Sequence, residues 1–150
     1  MLFPGDERVV EMRPVTTKQI DSVLPFLERI EDTGFTGGTW HKAPGMMSWF
    51  SEDKVVREFR RVLYANGWIT PVEFRWTEWQ HVASAYVASP DKVESADAVT
   101  IKKLFTTHVR KDRFCEGHLA STFEDGHIAA LLRRLKDIRK TMPDTLDIEP

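Results

Sequence analysis

The sequence has very little cysteine and no long apolar run. Cys115 is the only cysteine in 150 residues, which excludes an internal disulfide framework. No stretch approaches the roughly 20 apolar residues that a membrane-spanning helix needs, and there is no charged-then-apolar leader and no lipidation signal. We therefore expect a soluble, cytoplasmic protein that does not contact membranes.

The motifs of common metal sites and nucleophilic enzymes are also missing. Cys115 and His118 lie three residues apart, and His108 or His127 would have to complete a zinc site, but there is no paired Cys-x-x-Cys. A single cysteine among apolar residues is usually a small core residue. We expect no bound metal and no other cofactor.

Charge is distributed unevenly along the chain, although the net charge is only −2. Residues 1–100 carry 11 Lys/Arg and 15 Asp/Glu, residues 101–140 carry 10 and 5, and the last ten residues carry three acids. The basic block 101–140 would attract phosphates or an acidic partner, so nucleic-acid binding is one alternative function. The other interpretation is a solvated helix face beside an acidic tail.

The length predicts a single domain with a sizeable core. Residues 1–15 have no sustained period and are expected to form an N-terminal arm. Residues 16–141 are predicted to form the helical domain, and residues 142–150 an acidic C-terminal tail. No internal repeat or linker divides the chain.

Helical periodicity dominates the domain, so we predict an all-α, single-domain irregular bundle of about six helices. Thr16 or Thr17 is a suitable N-cap for the first helix, which Pro25 should break near Leu24. Ser51 is predicted to cap a second helix that ends at Asn66 and Gly67.

Further helices follow in the second half of the sequence. One is predicted from about Val72 or Thr77 to Val87, and the next begins at Pro90 after Ser89. Asp112 is expected to cap a helix that begins at Arg113. The last helix should run from about His127 to Lys140, with its leucines facing inward.

A long glycine-rich loop is predicted at Thr33 to Gly45 because this stretch holds four glycines, one proline and no period. Trp40 and His41 lie on this loop beside Gly37 and Gly38. They are candidates for a ligand-covering flap or a partner-binding finger. In the alternative interpretation, Trp40 simply fills the edge of the core.

The richest cluster of reactive side chains is the stretch from Arg110 to Leu119. Gly117 is costly inside a helix, by roughly 1 kcal/mol, which predicts close approach of another group or a helix break. We expect Arg113 to pair with Asp97 or Glu116 and to lock three helices together.

Several short segments of this sequence resemble a family of small bacterial and archaeal proteins known only as a domain of unknown function. The resemblance covers about residues 16 to 138, and its most specific part is Asp112 to Leu119. The other segments are Asn66-Gly67-Trp68-Ile69, Ala96-Asp97, Thr107-His108-Val109-Arg110, Ile128 and Leu132-Arg133-Arg134-Leu135. It implies a compact, mainly helical domain and transfers no activity, cofactor or catalytic residue.

These observations favour a non-enzymatic binding or regulatory protein that acts through a protein partner, such as an adaptor, an inhibitor or a mobile-element accessory factor. An alternative is a small enzyme or metalloprotein centred on His108, Glu116 and His118. The sequence does not fix an oligomeric state. The expected binding residues are those of the glycine-rich loop, the Arg110 cluster and the last helix: Trp40, His41, Arg110, Lys111, Arg113, Glu116, His118, Arg134 and Arg139.

Overall fold

The structure is a computed structural model that describes residues 13–32, 35–69 and 74–143. Most of the predicted N-terminal arm and of the predicted acidic tail, residues 1–12 and 144–150, lie outside the described residues. The remainder is mainly helical, which confirms the predicted fold class.

The described residues form eight helical segments and one two-stranded hairpin. In chain order they are α1 (Thr17–Val23), α2 (Phe26–Glu31), β1 (Gly38–His41), β2 (Trp49–Glu52), α3 (Lys54–Ala65), α4 (Gln80–Ala88), α5 (Pro90–Val93), α6 (Ala98–Asp112), α7 (His118–Glu124) and α8 (His127–Arg139). The helices surround one hydrophobic core, and the hairpin packs at its edge.

The N-terminal helix pair forms as the sequence predicts. Thr16 caps α1 by accepting a hydrogen bond from the backbone N–H of Gln19, whose side chain in turn accepts from the backbone N–H of Thr16. This reciprocal capping box satisfies two donors that a helix start leaves unpaired. Pro25 separates α1 from α2, which confirms the predicted break.

The glycine-rich stretch is not simply a loop, because part of it is a β-strand. β1 pairs antiparallel with β2, with Trp40 opposite Phe50 and His41 opposite Trp49. The prediction of a continuous loop over residues 33–45 was therefore wrong. Four residues are too few to show strand alternation, and the cross-strand aromatic pairs that stabilise the hairpin involve residues beyond that stretch.

The predicted start of the helix after the hairpin was also wrong. Ser51 lies in β2, opposite Thr39, and the N-cap of α3 is Asp53, whose side chain accepts from the backbone N–H of Val55. The predicted end is confirmed, because α3 stops at Asn66.

Two later helices start further along the chain than the sequence predicts. α4 begins at Gln80, because residues 76–79 form a turn. α7 begins at His118 instead of Arg113, because α6 continues to Asp112 and residues 113–117 form a turn. Pro90 begins α5 as predicted, although this helix is only four residues long.

The centre of the core is an aromatic cluster around Phe59 of α3. Its ring makes edge-to-face contacts with Phe26 of α2, Phe105 of α6 and Phe123 of α7, at centroid distances of 5.2 to 5.5 Å. Trp68 extends the cluster through Phe105. Because these contacts join four separate parts of the chain, Phe59 fixes how the helices meet.

Replacing Phe59 by alanine should lower the free energy of unfolding by about 3–5 kcal/mol, because it leaves a cavity among three aromatic rings. Phe114→Ala is the matched control: the same ring is removed from a side chain that is 78% exposed. It should change stability by less than about 0.5 kcal/mol. Urea denaturation followed by circular dichroism measures both, and equal losses would contradict this assignment of the core.

Candidate functional site

The carboxylate of Asp112, the last residue of α6, joins three parts of the fold. Its Oδ1 accepts a hydrogen bond from the backbone N–H of Leu119 at 2.8 Å, and its Oδ2 accepts one from Arg60 at 2.9 Å. The same guanidinium donates to both oxygens of Glu52, which is the main reason that the pKa of Arg60 is raised. Asp112 thus ties the start of α7 to α3 and, through Arg60, to β2.

The structure does not pair Arg113 with Asp97 or Glu116, and the ion pairs beside this turn are those of Arg60 with Glu52 and Asp112. Arg113 is exposed and forms no ion pair with the residues that the structure describes. Asp97 caps α6 by accepting from the backbone N–H of Thr100, and hydrogen bonds with Thr100 lower the pKa of Asp97. The expectation was wrong because it placed Arg113 inside a helix, whereas this residue begins a turn.

The turn 113–117 is one of the places where the hairpin contacts the helical part of the fold. Gly117 has φ 81°, in the left-handed region that favours glycine, and precedes α7. A β-carbon at this position would lie 3.2 Å from Cζ2 of Trp40. Glu116 holds the other strand, since its Oε2 accepts a hydrogen bond from the backbone N–H of Phe50 at 3.0 Å. Both features predicted for Gly117 are therefore present: the chain is not helical there, and Trp40 approaches it closely.

Exposed large apolar side chains are concentrated on the hairpin and in the neighbouring turn, with Trp40 and Trp49 on opposite faces of the strands. Six such side chains are exposed among the described residues, and five of them lie on the hairpin, in its loop or in the 113–117 turn. These five define the hairpin surface: Trp40, Met46, Met47, Trp49 and Phe114. The sixth, Tyr64, lies on α3. Soluble proteins expose single apolar residues routinely, but a concentration of them marks an interaction site.

A groove of about 490 Å³ separates β2 from the turn. Phe50 lines it on the hairpin side, and Arg113 and Phe114 line it on the side of the turn. The acidic groups in the groove are already engaged, Glu116 by the backbone of Phe50 and the others by Arg60. The groove thus combines two aromatic side chains with a mostly charged lining, in which Arg113 forms no ion pair with a described residue.

Three histidines near Lys111 form a hydrogen-bonded chain, next to a cavity separate from the groove. Nδ1 of His108 lies 3.1 Å from Nε2 of His118, and Nε2 of His108 lies 3.0 Å from Nε2 of His127. They come from α6, α7 and α8 respectively. His108 and His127 are buried, whereas His118 is half-buried and lines a small cavity.

The surroundings favour the neutral form of all three imidazoles. Burial lowers the pKa of His108 well below its ordinary value, and the neighbouring His127, His118 and Lys111 lower it further. Burial and His118 lower the pKa of His127 from 6.5 to about 4. The pKa of His118 is lowered by burial and by Lys111, against the opposing effect of Asp112.

The separations fit a hydrogen-bonded chain and not a mononuclear metal site. The two nitrogens of His108 face different histidines, whereas a metal ion takes one nitrogen from each ring. Within the described part of the chain, no three His, Cys, Asp or Glu side chains are arranged to hold a metal ion. Cys115, which the zinc hypothesis required, is exposed.

A family model matches residues 15–141, which is most of the chain. The chain belongs to the family of unknown function DUF6508. This match confirms the resemblance to an uncharacterised domain family. No curated protein and no solved structure shows significant similarity to the chain. Among the residues that the structure describes, no helix has the length and apolar character needed to cross a membrane.

In this DUF6508 member the expected binding residues do not form one surface. Arg113 and Glu116 face the groove beside the hairpin, whereas Lys111 and His118 line the histidine cavity. Arg110 is half-buried on α6. The proposed enzyme centre of His108, Glu116 and His118 is therefore divided, because Glu116 faces the groove and both histidines line the cavity.

The remaining candidates lie on the hairpin and on α8. His41 stacks on Trp49 at a centroid distance of 5.1 Å. Arg134 donates to the backbone oxygen of Ala96 at 2.8 Å, and Arg139 pairs with Asp21 at 2.9 Å. Arg134 and Arg139 thus join α8 to other parts of the fold. Nucleic-acid binding by the basic block 101–140 remains a prediction.

Sequence reasoning missed two parts of the site. Met46, Met47, Trp49 and Phe114 were not among the expected binding residues, and the sequence signalled them only as large apolar side chains near Pro44-Gly45 or among charged residues. The contribution of α4 to the histidine cavity was also missed. It had no local signal, because Ala83, Val87 and Ala88 are common helix residues.

Replacing Asp112 by alanine should lower the free energy of unfolding by about 2 kcal/mol, because Arg60 and the backbone N–H of Leu119 both lose a charged acceptor. Asp112→Asn is the matched control. It keeps an oxygen for Leu119 but loses the ion pair, so it should cost about half as much. Urea denaturation measures both, and an unchanged stability of Asp112→Ala would contradict the role of this carboxylate.

Acid should destabilise the fold through the histidine chain. In the unfolded state the imidazoles return to an ordinary pKa of 6.5, so between 6.5 and about 4 the unfolded chain binds more protons than the native state. The free energy of unfolding therefore falls as the pH falls through this window. Each buried histidine contributes a slope of up to about 1.4 kcal/mol per pH unit, which urea denaturation at several pH values measures.

Two variants test whether the pH dependence of the free energy of unfolding comes from the three histidines. His127→Gln keeps a polar group near His108 but cannot be protonated, so it should flatten the slope. His81→Gln removes an exposed histidine of α4 and should leave the slope unchanged. A wild-type stability that does not vary with pH across the window would show that the three imidazoles are not held neutral.

Proposed function

We propose that this protein is a non-enzymatic binding or regulatory protein that recognises another protein through the hairpin surface. The observation that carries the proposal is the concentration of five of the six exposed large apolar side chains on the hairpin, its loop and the adjoining turn. Met47 is 89% exposed and Trp40 is 56% exposed, so both remain available to a partner.

The chemistry of the surface indicates what kind of segment it would bind. Tryptophan supplies a large rigid contact area, and methionine adapts its flexible side chain to an irregular partner. The groove offers Phe50 and Phe114 to an inserted side chain, and its acids are engaged by Arg60 and the backbone of Phe50, which leaves Arg113 as a cation at its edge. We therefore expect an apolar segment of a partner protein, bound mainly by burial of apolar area.

The hairpin is suited to this role because its base is fixed. Trp40 rests on Gly117, and the backbone of Phe50 is held by Glu116. A surface that is already ordered loses little conformational entropy when it binds. Arg134 and Arg139 contribute to the fold through Ala96 and Asp21, so the proposal assigns them no direct contact with the partner.

A photo-crosslinking amino acid at position 47 tests the proposal in cells that naturally contain the protein. We expect one dominant cross-linked protein, because the side chain of Met47 is almost fully exposed on the hairpin loop. The same cross-linker at position 64 is the matched control, since Tyr64 is exposed but lies on α3. Cross-linking mainly to a second copy of this chain, or equally from both positions, would contradict the proposal.

The purified partner then allows a quantitative test. Met47→Asp should weaken binding about tenfold or more, because a methionine side chain loses roughly 1.5–3 kcal/mol of burial. Tyr64→Asp should leave affinity unchanged. Because apolar burial dominates, raising the salt concentration should change the affinity little. An unchanged affinity of both Met47→Asp and Trp40→Ala would reject the hairpin surface.

A further inference from the structure

The cavity beside the histidine chain lies between α4 and α6 and has a volume of about 160 Å³. α4 supplies the apolar side chains of Ala83, Val87 and Ala88. α6 supplies His108 and Lys111, and α7 supplies His118. Both nitrogens of His108 contact other histidines, so the apolar wall of α4 faces two side chains with a nitrogen left for a ligand, Lys111 and His118.

Positive charge is not balanced at this cavity. None of the described side chains that line it is acidic. Lys111 forms no ion pair with a described residue, and the neighbouring Asp112 is engaged by Arg60 and by the backbone of Leu119. An anionic group of a ligand would therefore meet a cation without displacing an existing carboxylate.

The three histidines can accept one additional proton and still keep both hydrogen bonds between them. If His118 carries protons on both nitrogens, its Nε2 donates to Nδ1 of His108, and Nε2 of His108 donates to Nε2 of His127. Every contact in the chain then has one donor and one acceptor. Nδ1 of His118 remains as a second donor for a ligand.

We propose that this cavity binds a short-chain aliphatic carboxylate, whose carboxylate lies between Lys111 and a protonated His118 and whose alkyl group packs against Ala83, Val87 and Ala88. The site is separate from the hairpin surface, so it adds ligand binding to the proposed recognition of a protein. The proton that His118 gains comes from solvent, and the bound carboxylate balances its charge.

Binding should therefore take up a proton at neutral pH, where His118 is neutral because burial and Lys111 lower its pKa. The other charged groups around His118 are Asp112 on α6 and Asp125 at the end of α7. His108 and His127 contact it directly or through the chain. The side chains of α4 that line the cavity do not titrate.

Isothermal titration calorimetry with butyrate tests the proposal. We expect a dissociation constant in about the millimolar range, since the ligand has only six non-hydrogen atoms. Titrations in buffers with different ionisation enthalpies should show the uptake of about one proton. Between pH 7 and pH 8 the affinity should accordingly fall about tenfold.

Two further probes separate the parts of the proposal. Butyramide has the same shape without the charge, and inorganic phosphate has the charge without the alkyl group. Both should bind at least about tenfold more weakly than butyrate. If butyrate does not bind, if either probe binds as tightly, or if butyrate binds without proton uptake, the proposal is overturned.

Variants locate the binding in the cavity. His118→Gln should abolish proton uptake and weaken butyrate binding about tenfold or more. Ala88→Leu fills the cavity from an exposed helix position, so it should block binding while the circular dichroism spectrum stays native. His81→Gln, an exposed position on the same helix outside the cavity, should bind normally. Normal butyrate binding by both His118→Gln and Ala88→Leu would overturn the site.

Discussion

The carboxylate of Asp112 determines where the most distinctive segment of this chain lies. It ends α6, caps the start of α7 through the backbone N–H of Leu119 and receives Arg60, which also binds Glu52 of the hairpin. The five residues between Asp112 and α7 form a turn whose position is thereby fixed at both ends. That turn carries Gly117, against which Trp40 of the hairpin packs, so Asp112 contributes to the position of the hairpin.

The short segment 111–118 consequently contributes to two different surfaces. Glu116 and Gly117 face the hairpin, and Phe114 lines the groove and stacks on Trp76, whereas Lys111 and His118 face α4. The partly buried ion pairs of Arg60 with Glu52 and Asp112 join these flanking elements, which suits a structural centre. The two proposed functions lie on either side of this centre: recognition of a protein partner at the hairpin surface, and binding of a carboxylate at the histidine cavity.

Local signals in the sequence predict those parts of the fold that local physics determines. The cap at Thr16, the break at Pro25 and the stop at Asn66 each depend on a few neighbouring residues, and all three are confirmed. The hairpin and the late start of α7 depend on pairing between distant residues, such as Trp40 with Phe50. The histidine chain needs three helices to converge, so sequence reasoning found its members but not their arrangement.

The central claim is that Asp112 positions both surfaces, and nuclear magnetic resonance of Asp112→Ala tests it most directly. The indole N–H signal of Trp40 and the imidazole signals of His118 should both shift. The indole N–H of Trp68, which donates to the backbone oxygen of Gln19 in α1, should not move. A spectrum in which only the amide of Leu119 changes would contradict the claim.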